Sequence, residues 1–171
     1  VVISALDLPA DLWARVGAFT LRRAAAGDLD DVIRLIADDA IGATRGDLAR
    51  DTDRPRYAAA LDEILSDSSN DLVVATLGGA VVGTFQLTRI PCLSRRGSTR
   101  LLIEAVRVRS DLRSAGIGGA MMRWVTERAA TDAGAQLVQL TSDASRPDAH
   151  RFYERLGFVR SHAGFKRLVG G

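Results

Sequence analysis

Apolar positions change period along the chain, and each change predicts an element. Leu29, Val32, Ile33, Leu35 and Ile36 recur at helical spacing after Gly27 and Asp28, which predicts a helix to about Asp39 with Asp28 as its cap. Pro55 suits the first turn of a second helix, reaching about Ser66. The pattern then shortens. Residues 71–76 and 80–88 are apolar runs joined by Gly78-Gly79, a hairpin signal. Leu101-Leu102-Ile103-Glu104-Ala105-Val106-Arg107-Val108 reads as the strongest strand. Over 116–132, Ile117, Met121, Trp124 and Val125 return to helical spacing, Arg128 can lay its stem on the same face, and Gly134 ends the run. Residues 136–141 form another strand. Residues 146–156 form a helix with Ala149, Phe152, Tyr153 and Leu156 on one side and Gly157 as its stop. Weaker signals predict a short helix over 10–16, a first strand over 20–24, and two closing strands over 158–160 and 164–168. A hairpin-rich sheet with helices on its faces is an α+β arrangement.

The length, 171 residues, suits one domain over 20–171 preceded by an extension over 1–19. Basic and acidic residues number 23 and 21, for a net charge of +2, too balanced to favour nucleic acid or a membrane surface as partner. No apolar run approaches the ~20 residues that cross a bilayer. No basic, apolar and small-residue series marks a signal peptide. One cysteine, Cys92, excludes an intramolecular disulfide, so a cytoplasmic setting is the default expectation. Arginine in place of lysine (Lys166 is the only lysine) with abundant alanine hints at a GC-rich bacterial genome. No C-x-x-C or H-E-x-x-H spacing suggests a metal.

The chemistry-bearing segment is Arg113-Ser114-Ala115-Gly116-Ile117-Gly118-Gly119, between the best strand and the best helix. Glycines there let the backbone approach a ligand, and the first N–H groups of a helix lack intrahelical partners, so such a turn receives phosphate oxygens. The P-loop pattern is absent because no lysine lies nearby. The dinucleotide fingerprint fails because Met121 stands at its third glycine and a hairpin precedes the strand. The pattern that fits is R-x-x-G-x-G; a plain tight turn is the bland alternative.

With these motifs in place, the chain from about Thr20 to Leu168 resembles the GNAT superfamily of acyl-CoA-dependent N-acetyltransferases. The likeness rests on Val108-x-Ser110-x-x-Arg113-x-x-Gly116-Ile117-Gly118 and on Phe152-Tyr153-Glu154-Arg155-Leu156-Gly157-Phe158, in the family's order and separation. The resemblance implies a mixed, mostly antiparallel sheet of six to seven strands flanked by about four helices. Its fourth and fifth strands, here 100–109 and 136–141, would splay apart. The pantetheine arm of acetyl-CoA would pair with the backbone at Val106, Arg107 and Val108, as an added strand does. The diphosphate would fall on Arg113, Ser114, Ala115, Gly116, Ile117, Gly118 and Gly119. Many members carry asparagine where this chain has Arg146, so Arg146 is expected either to reach a cofactor phosphate or to cap the strand end. Homodimers are common among members, which makes a homodimer an expectation.

Acyl transfer needs an amine without its proton, a stabilised thioester carbonyl and a departing thiolate. A lysine-like amine has a pKa of about 10.4 and a thiol about 8.5, so a base matters more than an acid. Tyr153 is the candidate acid on the resemblance; otherwise it is a core tyrosine. Glu104 is the candidate base: alternation sets it with Leu102, Val106 and Val108 on one face, where burial would raise its pKa. Its alternative is an ion pair with an arginine. A backbone N–H near Val108 would stabilise the developing oxyanion. The acceptor, a small-molecule or peptide amine, would meet residues 41–57, with Asp47, Asp51 and Asp53, and residues 90–99, with Cys92. His162 could face the acceptor pocket and His150 reads as structural. Nothing pairs Cys92 with a base, which favours direct transfer in a ternary complex. A non-catalytic acyl-CoA-binding regulator and a nucleotide-binding module remain the competing functions.

Overall fold

The computed structural model describes residues 3–169. Six strands form one sheet in chain order: β1 (Ala10–Ala14), β2 (Gly17–Arg23), β3 (Asn70–Leu77), β4 (Ala80–Pro91), β5 (Thr99–Val108) and β6 (Leu137–Leu140). Neighbours are antiparallel except the last pair, in which β5 and β6 run parallel. The sheet is therefore mixed and mostly antiparallel, as expected of an α+β fold.

Helices cover both faces because β3 and β4 are apolar on both. On one face α1 (Leu29–Ala37) and α3 (Arg54–Ser66) pack Leu29, Val32, Ile33, Leu35 and Leu61 onto Leu72, Val74 and Val81. The small helix α2 (Ala40–Thr44) follows α1, its Gly42 N–H held by the Asp39 side chain at 3.0 Å. On the other face α5 (Ile117–Trp124) runs through a π turn at Val125–Ala129 into α6 (Ala130–Asp132). That continuous span presses Ile117, Met121, Met122 and Val125 against Val73, Ala75, Phe85, Leu101 and Ile103. Helix α7 (Pro147–Arg155) adds Phe152 and Tyr153 to the same core. Between β4 and β5 lies α4 (Ser94–Gly97), a turn whose Arg95 and Arg96 are left-handed.

Three expectations are corrected. Residues 10–16 form β1 and the turn into β2, not a helix. Ala10, Leu12 and Ala14 alternate inward while Asp11 and Trp13 face out, a period of two that a five-residue run shares with a fragment of helix. Residues 158–160 and 164–168 are not strands. They find no ladder partner among the described residues, and Val159, Phe165 and Leu168 stand in solvent after Gly157 turns the chain at φ +87°.

The third correction concerns β5. Ala105 adopts φ +51° and makes a β-bulge, so two residues of β5 oppose Phe85. The extra residue reverses the alternation. Val106 and Val108 join Leu101 and Ile103 on the α5 face, while Glu104 and Arg107, opposite Gln86 and Thr84, point to the α1 face. The strict alternation that grouped Glu104 with Val106 and Val108 is broken.

Candidate functional site

Parallel pairing of β5 with β6 runs from Arg100↔Leu137 to Ile103↔Leu140 and stops. Beyond it the strands part. Arg109 N–H bonds Val82 O on the β4 side, so the alternation of an antiparallel ladder turns the N–H and C=O of Val106 and Val108 away from β4 into the gap. Arginines occupy those two carbonyls: Arg107 Nη1 donates to Val106 O at 2.9 Å, and Arg113 Nε to Val108 O at 3.3 Å. A cleft of about 420 Å³ fills the gap. Its walls are Val106, Arg107 and Val108 from β5, Arg113 from the glycine turn, Ser145, Arg146, Pro147, Asp148 and Ala149 before and within α7, and Asp39 after α1.

The turn over 113–119 has the form expected of an anion cradle. Ser114 and Gly116 are left-handed, at φ +63° and +95°. The first intrahelical bond runs from Ala120 N–H to Gly116 O, which leaves the N–H groups of Ile117, Gly118 and Gly119 without helical acceptors. A methyl at Gly118 would meet Phe152 at 3.5 Å and Val108 at 3.6 Å, ordinary van der Waals contact. The β1–β2 turn braces this cradle: Arg15 N–H bonds Ala115 O at 3.0 Å, and the Arg15 guanidinium donates to Ser114 O. These residues fit a diphosphate bearing a pantetheine arm.

Asp38 and Asp39, just past α1, were not singled out in the sequence, yet they organise the cleft. Asp38 accepts from Ser110 N–H at 2.8 Å, and its carbonyl accepts from Arg113. Asp39 Oδ2 meets Arg107 Nη2 at 3.1 Å and also takes a hydrogen bond from Arg146. Burial alone would raise the Asp39 carboxyl. The Arg146 hydrogen bond, the charges of Arg107 and Arg146 and the Gly42 N–H outweigh it, and the pKa falls below the usual range. Arg146 thus faces the cleft, but through Asp39. The available signal was the acidic pair itself: two carboxylates at a helix C-terminus oppose the helix dipole and call for cationic partners.

Tyr153 is half-buried, its ring edge-on to Phe152 and Phe158, and its hydroxyl has no hydrogen bond among the described residues. Burial raises its pKa, partly offset by the charges of Arg107 and Arg146. It therefore keeps its proton; it is not one of the cleft's walls but lies near enough to Arg107 and Arg146 to feel their charge. Glu104 is exposed rather than buried, because the helices on its face cover Leu72, Val74 and Val81 and leave the β5 side open.

Other candidates lie apart. Cys92 sits near the Pro91↔Thr99 end of the β4–β5 pair, whereas the cleft opens at the Gly83↔Val108 end, roughly 25 Å along the strand. Its Sγ contacts Ser94 Oγ at 2.8 Å, and residues 90–99 share that remote end. His150 Nε2 bonds Asp143 O at 2.8 Å, a structural contact, and His162 stands exposed beside Ser161. Of residues 41–57, Arg45 reaches the cleft's rim by pairing with Asp143, and Asp47 accepts from Tyr57 at 2.9 Å. Asp51 is exposed and Asp53 faces Arg56.

The model of the acetyltransferase (GNAT) family matches residues 33–158. The chain therefore belongs to that family and is a transferase of acyl groups. An aminoalkylphosphonate N-acetyltransferase of Salmonella typhimurium is 32% identical over 149 residues, covering 87% of this chain and 90% of that one. Among solved structures, a chain from Bacillus halodurans described as a transcriptional regulator superposes with a TM-score of 0.83 at 42% identity, over 88% of this chain and 99% of its own. An acetyltransferase of Trypanosoma brucei gives 0.68 at 26%, over 88% and 99%. A glucosamine-6-phosphate N-acetyltransferase of Arabidopsis thaliana, at 17% identity and 0.70, shares the fold.

Proposed function

We propose that the protein transfers an acetyl group from acetyl-CoA to the amine of a small molecule, by direct attack within a ternary complex. The carrying observation is the open stretch of β5, whose Val106 and Val108 edges face a gap that reaches Arg113 at the start of the glycine turn. When bound, acetyl-CoA supplies the activated acyl carbon. The N–H groups at the start of α5 receive its diphosphate, and the freed edges of Val106 and Val108 pair with its amides. A backbone N–H on this parted edge, near Val108, stabilises negative charge on the acyl oxygen. Tyr153 holds a proton to offer the departing sulfur, and Glu104, in reach of solvent, takes the amine proton through water. The name of the Salmonella relative supports a small acceptor over a peptide. The name of the Bacillus chain supports the second reading, a non-catalytic acyl-CoA-binding regulator.

Thiol release from acetyl-CoA across a panel of amines separates the two. Turnover with at least one small amine is expected; cofactor binding with no thiol release from any amine would favour the regulator. Tyr153→Phe should bind acetyl-CoA normally and lose about 10²-fold or more in kcat. Unchanged turnover would remove Tyr153 from the mechanism.

A further inference from the structure

Arg107 presents two different surfaces to the cleft. Its backbone neighbours turn toward the gap, but the bulge at Ala105 sends its side chain to the opposite face of the sheet from α5 and the phosphate turn. There the guanidinium is largely buried, 18% exposed, as are Arg146 at 25% and Asp39 at 11%. The two guanidiniums share one carboxylate oxygen, Asp39 Oδ2. The next carboxylate facing Arg107, Asp47, already accepts from Tyr57. Arg107 Nε is buried and has no hydrogen-bond partner among the described residues. A buried, incompletely paired cation on a wall of the cleft is costly unless a ligand completes it. Glu104 lies on the same face two ladder positions away, since the bulge absorbs the extra residue, roughly 7 Å along the strand.

We propose that Arg107, braced by Asp39 and Arg146, receives an acidic group of the acceptor, so that the preferred substrate is a compact amine carrying a phosphonate or carboxylate a few carbons from its nitrogen. This rests on the acetyl transfer proposed above. Arg107 Nη1 and Nη2 already meet Val106 O and Asp39, so the acid serves as a second counter-charge beside the Arg107–Arg146 pair, which shares a single carboxylate oxygen. With the acid seated there, the amine end lies toward Glu104 and the water that would take its proton.

The test uses the full chain at saturating acetyl-CoA, with thiol release measured for 2-aminoethylphosphonate, β-alanine and n-propylamine. The acidic amines should exceed propylamine in kcat/KM by about tenfold or more, as loss of a charged hydrogen bond predicts. Comparison of the two acidic amines tells phosphonate from carboxylate. Arg107→Gln, which keeps the Asp39–Arg146 pair, should bring the acidic-to-neutral ratio close to one, and Arg107→Lys should restore part of it. The proposal is overturned if propylamine is the better substrate, if the ratio survives Arg107→Gln in a variant that melts like the parent, or if only the KM for acetyl-CoA rises. No turnover with any amine would sink the transferase reading itself, whereas turnover without acid preference sinks this one alone.

Discussion

Asp39 carries an unusual electrostatic load for one side chain, since a single oxygen meets both Arg107 and Arg146. Asp39→Asn would leave two largely buried guanidiniums without their counter-charge. We expect it to lower unfolding stability by about 1–3 kcal/mol in urea at pH 7, a buried-pair loss reduced for partial exposure. The pH dependence has a definite sign. Its folded pKa is depressed, so its contribution is fully present above the ordinary value of about 3.9 and is lost as pH falls through the lower folded value. Parent and variant stabilities should therefore converge below about pH 4. Tyr153 works in the other direction. Its raised pKa keeps the phenol protonated, so kcat should hold its plateau past pH 9 and fall only above about 10. A falling limb near pH 8 would assign the acid elsewhere. These residues were unevenly visible in the sequence: Tyr153 stood out inside a motif, whereas the Asp39 pairing depends on three segments meeting and has no local pattern beyond an acidic pair.

Among the elements, the turn into α5 was the easiest to read and β5 the easiest to misread. The glycines of 113–119 marked where the strand gives way to the helix, and the structure has β5, a turn and α5 in that order. Gly118→Val should preserve the fold, since a first methyl fits against Phe152 and Val108. Its further methyls should cost acetyl-CoA at least tenfold in affinity by calorimetry. Normal affinity in a folded variant would show that the cofactor does not approach Gly118. In β5 a single left-handed residue, Ala105, changed which side chains share a face, and alanine gives no warning of positive φ. That phase change carried Val106 and Val108 to the α5 face and Arg107 toward Asp39, leaving Glu104 behind on the open face. The β1–β2 hairpin was equally hidden, because five residues cannot distinguish a period of two from part of a helical turn.

At the scale of the molecule, the element order from β2 to α7 was legible because long periodic runs dominate it, and both cores follow from β3 and β4 being apolar on both faces. The chain's end was not, since strand propensity at 158–168 counts for little without a neighbouring ladder. Ending the chain at Arg160 should therefore shift the thermal midpoint by less than about 2 °C, as expected for the loss of exposed residues; a larger fall would show that the tail packs. The short parallel seam has a broader consequence. Four residue pairs are the only ladder joining β6 to the sheet among the described residues, and the segment bearing Arg146 and α7 follows directly from it. A substrate arm lodged between the strands would extend that seam and stiffen the sheet's edge. Loading the protein with coenzyme should thus slow amide exchange at 137–140, while the β3–β4 core stays as it was.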